Sequence, residues 1–181
     1  MSSKLITPPA NTAVSLAAAR AAARVDGDAM DGEILQAVQG FTDDAEFETQ
    51  RALVEQRRRV TLDRFDRAIR LDRPPLLSVV HVKFFDQAGQ LQILDPEDYQ
   101  VDSESEPGYI VPAPGRAWPA TADRINAVYV EYICGYGPDD VAVPAGIKSY
   151  ILAKVAEQFA PSGSPAVAHV PRLLDGFRVY G

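Results

Sequence analysis

Apolar and β-branched residues dominate the middle of the chain, where Leu76–Phe85 forms a nearly continuous apolar run. Residues 86–89 then favour a turn, because glycine tolerates positive φ and aspartate can hydrogen-bond to its own backbone. Leu91 and Ile93 resume the apolar pattern. These positions predict a β-hairpin with a longer loop, followed by a third short strand that ends near Val101.

The segments on either side of this hairpin have helical spacing. Residues 16–24 are rich in alanine, and Ser15 precedes them with a side chain suited to cap a helix N-terminus. A second helix is predicted over residues 29–50, with Gly40 as a candidate kink or break and one apolar stripe made of Ile34, Val38, Phe41 and Ala45. A third helix is predicted to begin at Pro144 and to bury Ile147, Ile151, Val155 and Phe159.

Two further segments have the pattern of β-strands. Residues 126–134 alternate, so Glu131 faces one side of the strand and the other side carries Val128, Val130, Tyr132 and Cys134. Residues 53–65 predict a strand or an extended lead into one, and they contain a basic run, Arg57, Arg58 and Arg59. Aspartates and arginines interleave after this run, which indicates mixed surface ion pairs. For the basic run itself, ion pairing with an acidic patch of a neighbouring subunit is favoured over contact with DNA.

Together these patterns predict an α+β fold. We expect a small helical bundle, of two N-terminal helices and one C-terminal helix, with an inserted antiparallel β-sheet and an extended C-terminal arm. A single domain covers residues 1–160, its β insertion covers about 53–134, and the arm covers 161–181. The arm carries apolar residues after a Pro-, Gly- and Ser-rich linker. They either pack on their own domain or are donated to a partner, and the sequence leaves both possibilities open.

Composition restricts the chemistry. The 181 residues carry a net charge of −7, one cysteine and two histidines. This excludes an internal disulfide and a cysteine-rich zinc site, and it disfavours a transition-metal site and non-specific nucleic-acid binding. The chain has no apolar run long enough to span a membrane and no secretory signal at its start, so we expect synthesis in the cytoplasm.

Two sets of residues invite a chemical interpretation, and neither supports one. Cys134 paired with a histidine base would resemble a nucleophile, but the sequence has no local signature for this, and small buried cysteines are common in cores. Asp43, Asp44, Glu46 and Glu48 have the spacing of a helix face without the glycines of a calcium loop. We predict a solvated or lumen-facing acidic surface, and no catalytic centre, metal or cofactor.

Several segments occur in a familiar order: ITPPANTAVSLAAARAAARVDG, ETQRALVEQ, LDRPPLLSVVHVKFFDQAGQ, YQVD, PAPGRAWPAT, AVYVEYICGYG, VPAGIKSYILAKVAEQF and LLDGFRVYG. By their order and spacing, the chain resembles the head–tail connector, or adaptor, proteins of long-tailed double-stranded DNA phages and gene-transfer particles. The resemblance spans nearly the whole chain. Two departures are local: Gln50 stands where related chains tend to have glycine, and Ala18 stands where an acidic residue would complete a capping box with Ser15.

The resemblance implies a structural virion protein at the capsid–tail junction, assembled in the host cytoplasm and not an enzyme. It implies a ring, typically of twelve copies, that sits below the portal, extends the DNA channel and binds a stopper or tail-completion protein. DNA would pass through without sequence-specific binding, and no membrane is involved. The residues implied to grip the portal are Leu173, Leu174, Phe177, Arg178, Val179 and Tyr180.

Two surfaces gain a role from this resemblance. Asp43, Asp44 and Glu48 become candidates for lining the channel, because carboxylates repel the DNA backbone. Arg57, Arg58 and Arg59 become candidates for contacts between subunits. The alternative function is a DNA-binding accessory module that uses the Arg57–Arg59 region and the arginines after it.

Overall fold

The computed structural model describes residues 3–161, 164 and 170–179, and within them the predicted α+β fold is confirmed. The chain divides into two compact units. One, the β unit, consists of Met1–Pro8 and Glu55–Gly135. The other, the helical unit, consists of Pro9–Val54 and Tyr136–Gly181. The strand-rich segment is therefore inserted between two halves of the helical unit, and the N-terminal residues belong to the β unit.

The β unit contains two antiparallel sheets within the described residues. The first has the order β1-β2-β8-β4-β5, and the second has the order β3-β7-β6. A short 3₁₀ helix, Pro96–Asp98, precedes β6. The strands are β1 (Lys4–Thr7), β2 (Gln56–Leu62), β3 (Ile69–Leu71), β4 (Leu76–Phe85), β5 (Leu91–Ile93), β6 (Tyr99–Asp102), β7 (Gly108–Pro112) and β8 (Val128–Cys134).

The predicted hairpin is formed by β4 and β5. Lys83 pairs with Ile93, and Phe85 pairs with Leu91. The carboxylate of Asp86 accepts hydrogen bonds from the backbone N–H groups of residues 88 and 90, which closes the loop. The third short strand, β6, is also present, but it pairs with β7 in the second sheet.

One face of the five-stranded sheet supplies the apolar core of the β unit. Alternation along β8 places one side chain in two on this face, as predicted. The neighbouring strands β2 and β4 add apolar side chains in register with those of β8. The buried residues are Val60, Leu62, Leu76, Val82, Phe84, Val128, Val130, Tyr132 and Cys134.

The helical unit contains α1 (Leu16–Ala23), α2 (Asp31–Thr49) and α3 (Ala145–Gln158). The Ser15 hydroxyl caps α1 by accepting a hydrogen bond from the N–H of Ala18 at 3.3 Å. α2 continues through Gly40, so the helix does not break there. The predicted stripes of α2 and α3 face the core of this unit, whose largest fully buried members are Val14, Ile34, Val38, Leu53, Val54, Ile147, Ile151 and Leu174.

Candidate interaction surfaces

The second face of the five-stranded sheet carries charge. His81, Glu131, Arg59 and Lys4 are cross-strand partners, so they form one row across four strands. Lys83 and Ile93 are on the same face, and the strand registers also place there Arg57, Thr61, Phe85, Leu91, Tyr129 and Ile133. We call this surface the charged face. Because it offers four basic side chains and one carboxylate, it is a basic surface on an acidic chain.

Glu131 is the centre of the row and is only 4% exposed. Arg57 and Arg59 both form ion pairs with its carboxylate, and Arg59 Nε donates to Glu131 Oε1 at 2.8 Å. His81 Nε2 lies 3.7 Å from the same oxygen. Burial raises the pKa of Glu131, but the hydrogen bonds and charges of the two arginines outweigh burial and leave the pKa below its usual value.

Arg58 points to the opposite face of β2, as the alternation of a strand requires. Its Nε donates to the Ser3 hydroxyl at 2.6 Å, and Nη1 donates to the side chain of Gln56. The Ser3 N–H and the Tyr132 hydroxyl both donate to the carboxylate of Asp72, at 2.9 and 2.6 Å. Arg58 therefore helps to hold the N-terminal residues on the β unit.

Asp72 and Tyr132 each shift the pKa of the other. Burial raises the pKa of Asp72, but hydrogen bonds from Ser3 and Tyr132 bring it below its usual value. Burial, followed by the negative charge of Asp72, raises the pKa of Tyr132. The tyrosine is therefore a permanent donor to this carboxylate.

The C-terminal segment, which we define as residues 170–179, packs on the helical unit. Val170–Phe177 is a 3₁₀ helix, and Leu174 is 1% exposed. The Phe177 ring covers Gly146 of α3, where an added Cβ would lie 2.8 Å from a ring carbon. Arg51 Nε donates to the backbone oxygen of Phe177 at 2.6 Å. Of the two possibilities that the sequence left open, this arrangement is packing of the segment on its own domain.

The end of the segment is bound to the last turn of α2. Arg178 Nη2 lies 2.9 Å from the Glu48 carboxylate, and the N–H of Val179 donates to the backbone oxygen of Thr49 at 3.0 Å. Leu173, Phe177, Arg178 and Val179 are partly exposed in this position. Tyr180, the last of the predicted portal-gripping residues, lies outside the described residues.

The three acidic candidates of α2 have different environments. Asp43 is exposed and accepts a hydrogen bond from the Gln39 side chain at 2.9 Å. Asp44 accepts a hydrogen bond from the Tyr150 hydroxyl, and Glu48 pairs with Arg178. Burial and the neighbouring Asp44 carboxylate raise the pKa of Tyr150. Asp44 and Glu48 thus join α2 to α3 and to the C-terminal segment, whereas Asp43 faces solvent.

A nucleophilic pair of Cys134 and His81 is not assembled. Cys134 faces the buried side of β8, where its Sγ is 3.8 Å from the backbone oxygen of Gln56. His81 pairs with Glu131 and lies on the charged face, on the other side of the sheet. His169 lies outside the described residues. Burial and the positive charge of Lys83 lower the pKa of His81, which therefore remains neutral at neutral pH.

The described residues contain neither a metal-binding cluster nor a membrane-crossing helix. No group of three or more His, Cys, Asp or Glu side chains in this part of the chain is arranged to hold a metal ion. No helix among these residues combines the length and the apolar character that crossing a membrane requires.

The fold is similar to that of chains in gene transfer agent particles. One, from the neck of an empty particle computed with C6 symmetry, has a TM-score of 0.82 and 19% identity. Another, from the virion of a native particle, has a TM-score of 0.80 and 20% identity. A third, from the neck of a native particle computed with C12 symmetry, has a TM-score of 0.69 and 19% identity. Each comparison covers 100% of this chain and 97% of the other.

Comparisons at the level of sequence gave no relative. No protein-family model matches the chain, and no curated protein matches it. The similarity to the solved chains is therefore one of fold.

Proposed function

We propose that this protein is a structural component of the neck of a phage-like or gene-transfer particle, and specifically the head–tail connector, or adaptor. The observation that carries the proposal is the full-length similarity of fold to chains of gene transfer agent necks, at TM-scores up to 0.82. The similarity covers both units. It agrees with the order of segments that resembles adaptor proteins.

In this proposal the protein acts as a ring below the portal. Two of the similar chains come from necks, one computed with C6 symmetry and the other with C12 symmetry. A ring of twelve copies is compatible with both symmetries. The ring extends the DNA channel from the portal toward a stopper or tail-completion protein. This function is structural and requires no catalysis. The subunits must bind their neighbours tightly, and the channel wall must let DNA slide.

The charge of the helical unit suits a sliding surface. This unit carries seven basic side chains against twelve acidic ones, whereas the β unit carries eleven against thirteen. Carboxylates repel the DNA backbone and reduce friction at the channel wall. We propose that the wall draws on carboxylates of α2, for which Asp43, Asp44 and Glu48 are the candidates.

The C-terminal segment is the proposed grip on the portal. Leu173, Phe177, Arg178 and Val179 keep part of their surface exposed while Leu174 anchors the segment. The segment can therefore present side chains to a partner without leaving the core. The anchoring also implies that its complete removal uncovers apolar surface on α3.

The test mixes the purified protein with its portal protein and reads complex formation by sedimentation and rings by electron microscopy. Three proteins are compared: the full chain, a truncation after residue 165, and the full chain carrying Leu173→Asp. Val101→Asp is the matched control, because Val101 is also exposed and belongs to the β unit, whereas the segment belongs to the helical unit. Circular dichroism verifies that each variant is folded.

We expect rings on the portal with the full chain and the control, and much weaker docking with the truncation and with Leu173→Asp. If every folded variant docks equally, the segment does not grip the portal, but the adaptor function stands. If the full chain does not associate with the portal, the adaptor assignment is wrong.

A further inference from the structure

The charged face has an apolar rim that no described residue covers. Ile93 of the edge strand β5 is 67% exposed, and Leu91 of the same strand is 52% exposed. Lys83 is the cross-strand partner of Ile93, and among the described residues no carboxylate pairs with it. Together Leu91, Ile93 and Lys83 form a patch with a positive charge beside apolar surface.

The outer surface of α2 has the complementary composition. Gln36, Gly40, Asp43 and Phe47 follow each other at intervals of four, three and four residues, so they form one ridge. Phe47 is 66% exposed, although a phenylalanine on a helix surface normally packs inward. Asp43 is one helical turn from Phe47 and carries an exposed carboxylate. This ridge therefore has a negative charge beside apolar surface.

Gly40 lies on the same ridge and leaves it open. An added Cβ at this position would meet nothing within 4 Å. Glycine in a helix interior costs about 1 kcal/mol relative to alanine, and the packing of this chain gives no reason for it. The missing side chain lets an approaching surface come closer to α2.

We propose that the Lys83–Ile93 patch of one copy binds the Asp43–Phe47 ridge of α2 on the next copy. Lys83 meets the carboxylate of Asp43, and Ile93 and Leu91 cover the ring of Phe47. The charge complementarity of the two surfaces carries the proposal, and it rests on the proposed ring function. The contact removes Asp43 from the channel wall and leaves Asp44 and Glu48 as its candidates.

The ion pairs of Arg57 and Arg59 favour a second copy of the protein over nucleic acid as the partner of this patch. Both guanidinium groups are bound to Glu131, so they are not available to grip successive phosphates. The aromatic neighbours of Lys83, Tyr129 and Phe85, are only partly exposed, and the guanidinium groups of Arg59 and Arg124 lie over their rings. The more exposed neighbours, Leu91 and Ile93, are aliphatic and do not stack on bases as aromatic side chains do. A protein surface with one carboxylate beside apolar side chains can pair with Lys83 and also cover Leu91 and Ile93.

The contact is heterologous, because it joins two different surfaces of the same chain. A heterologous contact leaves one surface of each type free on every dimer, so it continues around a ring until the rotation closes. It also gives every subunit the same orientation. An adaptor needs that polarity, since its portal side and its tail side bind different proteins.

Cross-linking between single-cysteine variants tests the pairing. Ile93→Cys and Phe47→Cys are treated with a short bis-maleimide, alone and as an equal mixture, in free solution and on the portal. Cys134 is fully buried, so the unchanged protein gives the background. We expect dimers in the mixture only, and a ladder when one chain carries both substitutions. Equal yields from single variants and the mixture, or no product above background, overturn the proposal.

Charge exchange tests the same contact without cysteines. We expect Lys83→Glu and Asp43→Lys each to weaken self-association about fivefold, and the chain that carries both to recover it. Lys4→Glu is the matched control, since Lys4 lies on the charged face at the opposite edge of the sheet. Failure of the double variant to recover, or an equal loss in the control, contradicts the assigned pair.

These results separate the contact from the function on which it rests. Rings on the portal without the mixed cross-link mean that the adaptor function is correct and the contact is wrong. The mixed cross-link without portal binding means that the contact is correct and the adaptor function is wrong.

Discussion

At the scale of single residues, Glu131 holds together the charges of the five-stranded sheet. Its carboxylate is buried between two arginines that are each about one-third exposed. Replacing it by glutamine leaves both guanidinium groups close together without a counter-charge. Because the arginines retain access to water, we expect Glu131→Gln to lower the free energy of unfolding by about 2 kcal/mol, below the value for a fully buried pair.

The pH dependence of this loss has a defined sign. The folded-state pKa of Glu131 is below its usual value of 4.5. Its contribution to stability is therefore fully present above pH 4.5 and is lost as the pH falls through the folded-state pKa. Denaturant unfolding of the two proteins should differ at pH 7 and converge in acid. Glu104→Gln, at an exposed loop position, is the control that should differ from the parent at neither pH. A constant difference across the range would show that Glu131 acts by shape alone.

At the scale of elements, local patterns predicted the helices and the longer strands. Ser15 and the alanines after it give α1 directly, and the spacing of Ile34, Val38 and Ala45 gives α2. The alternation in β8 is as informative as these helical patterns, because it too depends only on residues that are close together in the sequence. The observed bounds of these elements lie within a few residues of the predicted ones.

Features that depend on distant parts of the chain were not predicted. β1 is a four-residue strand defined by its pairing with β2, about fifty residues away, and β3 has only three residues. The turn before β6 gives no indication that β6 joins a second sheet. The two partners of Glu131 were also missed, although alternation along β2 and β8 put all three residues on one face. The register that brings them together depends on how β2 pairs with β8, and the sequence of neither strand alone determines it.

The packing of the C-terminal segment on α3 gives a second prediction. Gly146→Ala places a methyl group 2.8 Å from the Phe177 ring, so the ring must move away. We expect a loss of about 1–2 kcal/mol in unfolding free energy and faster tryptic cleavage after Arg172 and Arg178. Gly40→Ala is the same exchange at an open helix position and should stabilise the protein by about 1 kcal/mol, with no effect on cleavage.

The comparison of cleavage rates decides this prediction. If Gly146→Ala destabilises the protein but leaves cleavage unchanged, the segment is not held by its contact with α3. If both glycine variants behave alike, the effect belongs to helix propensity and the contact with Phe177 is unimportant.

At the scale of the whole molecule, charge favours the proposed adaptor function over the DNA-binding alternative. The chain carries a net charge of −7, and two members of its basic run are bound to Glu131. The third, Arg58, is bound to Ser3 and Gln56. Cations that are already paired within the protein release few counterions from DNA. The arginines that invite a DNA-binding interpretation of the sequence are therefore structural in the folded unit.

This leads to a prediction for DNA binding by the complete chain. We expect no measurable affinity for duplex DNA in a fluorescence-anisotropy titration at physiological salt. Glu131→Gln frees two guanidinium groups, so any affinity should appear first in this variant, with a slope of log K against log salt of about −0.9 for each phosphate contacted. Removing Arg57 and Arg59 in the Glu131→Gln background should abolish it. If the parent protein itself binds DNA with a steep salt dependence, and alanine at Arg57, Arg58 and Arg59 removes that binding, the chain is a DNA-binding module. The acidic surfaces would then need a purpose other than a channel.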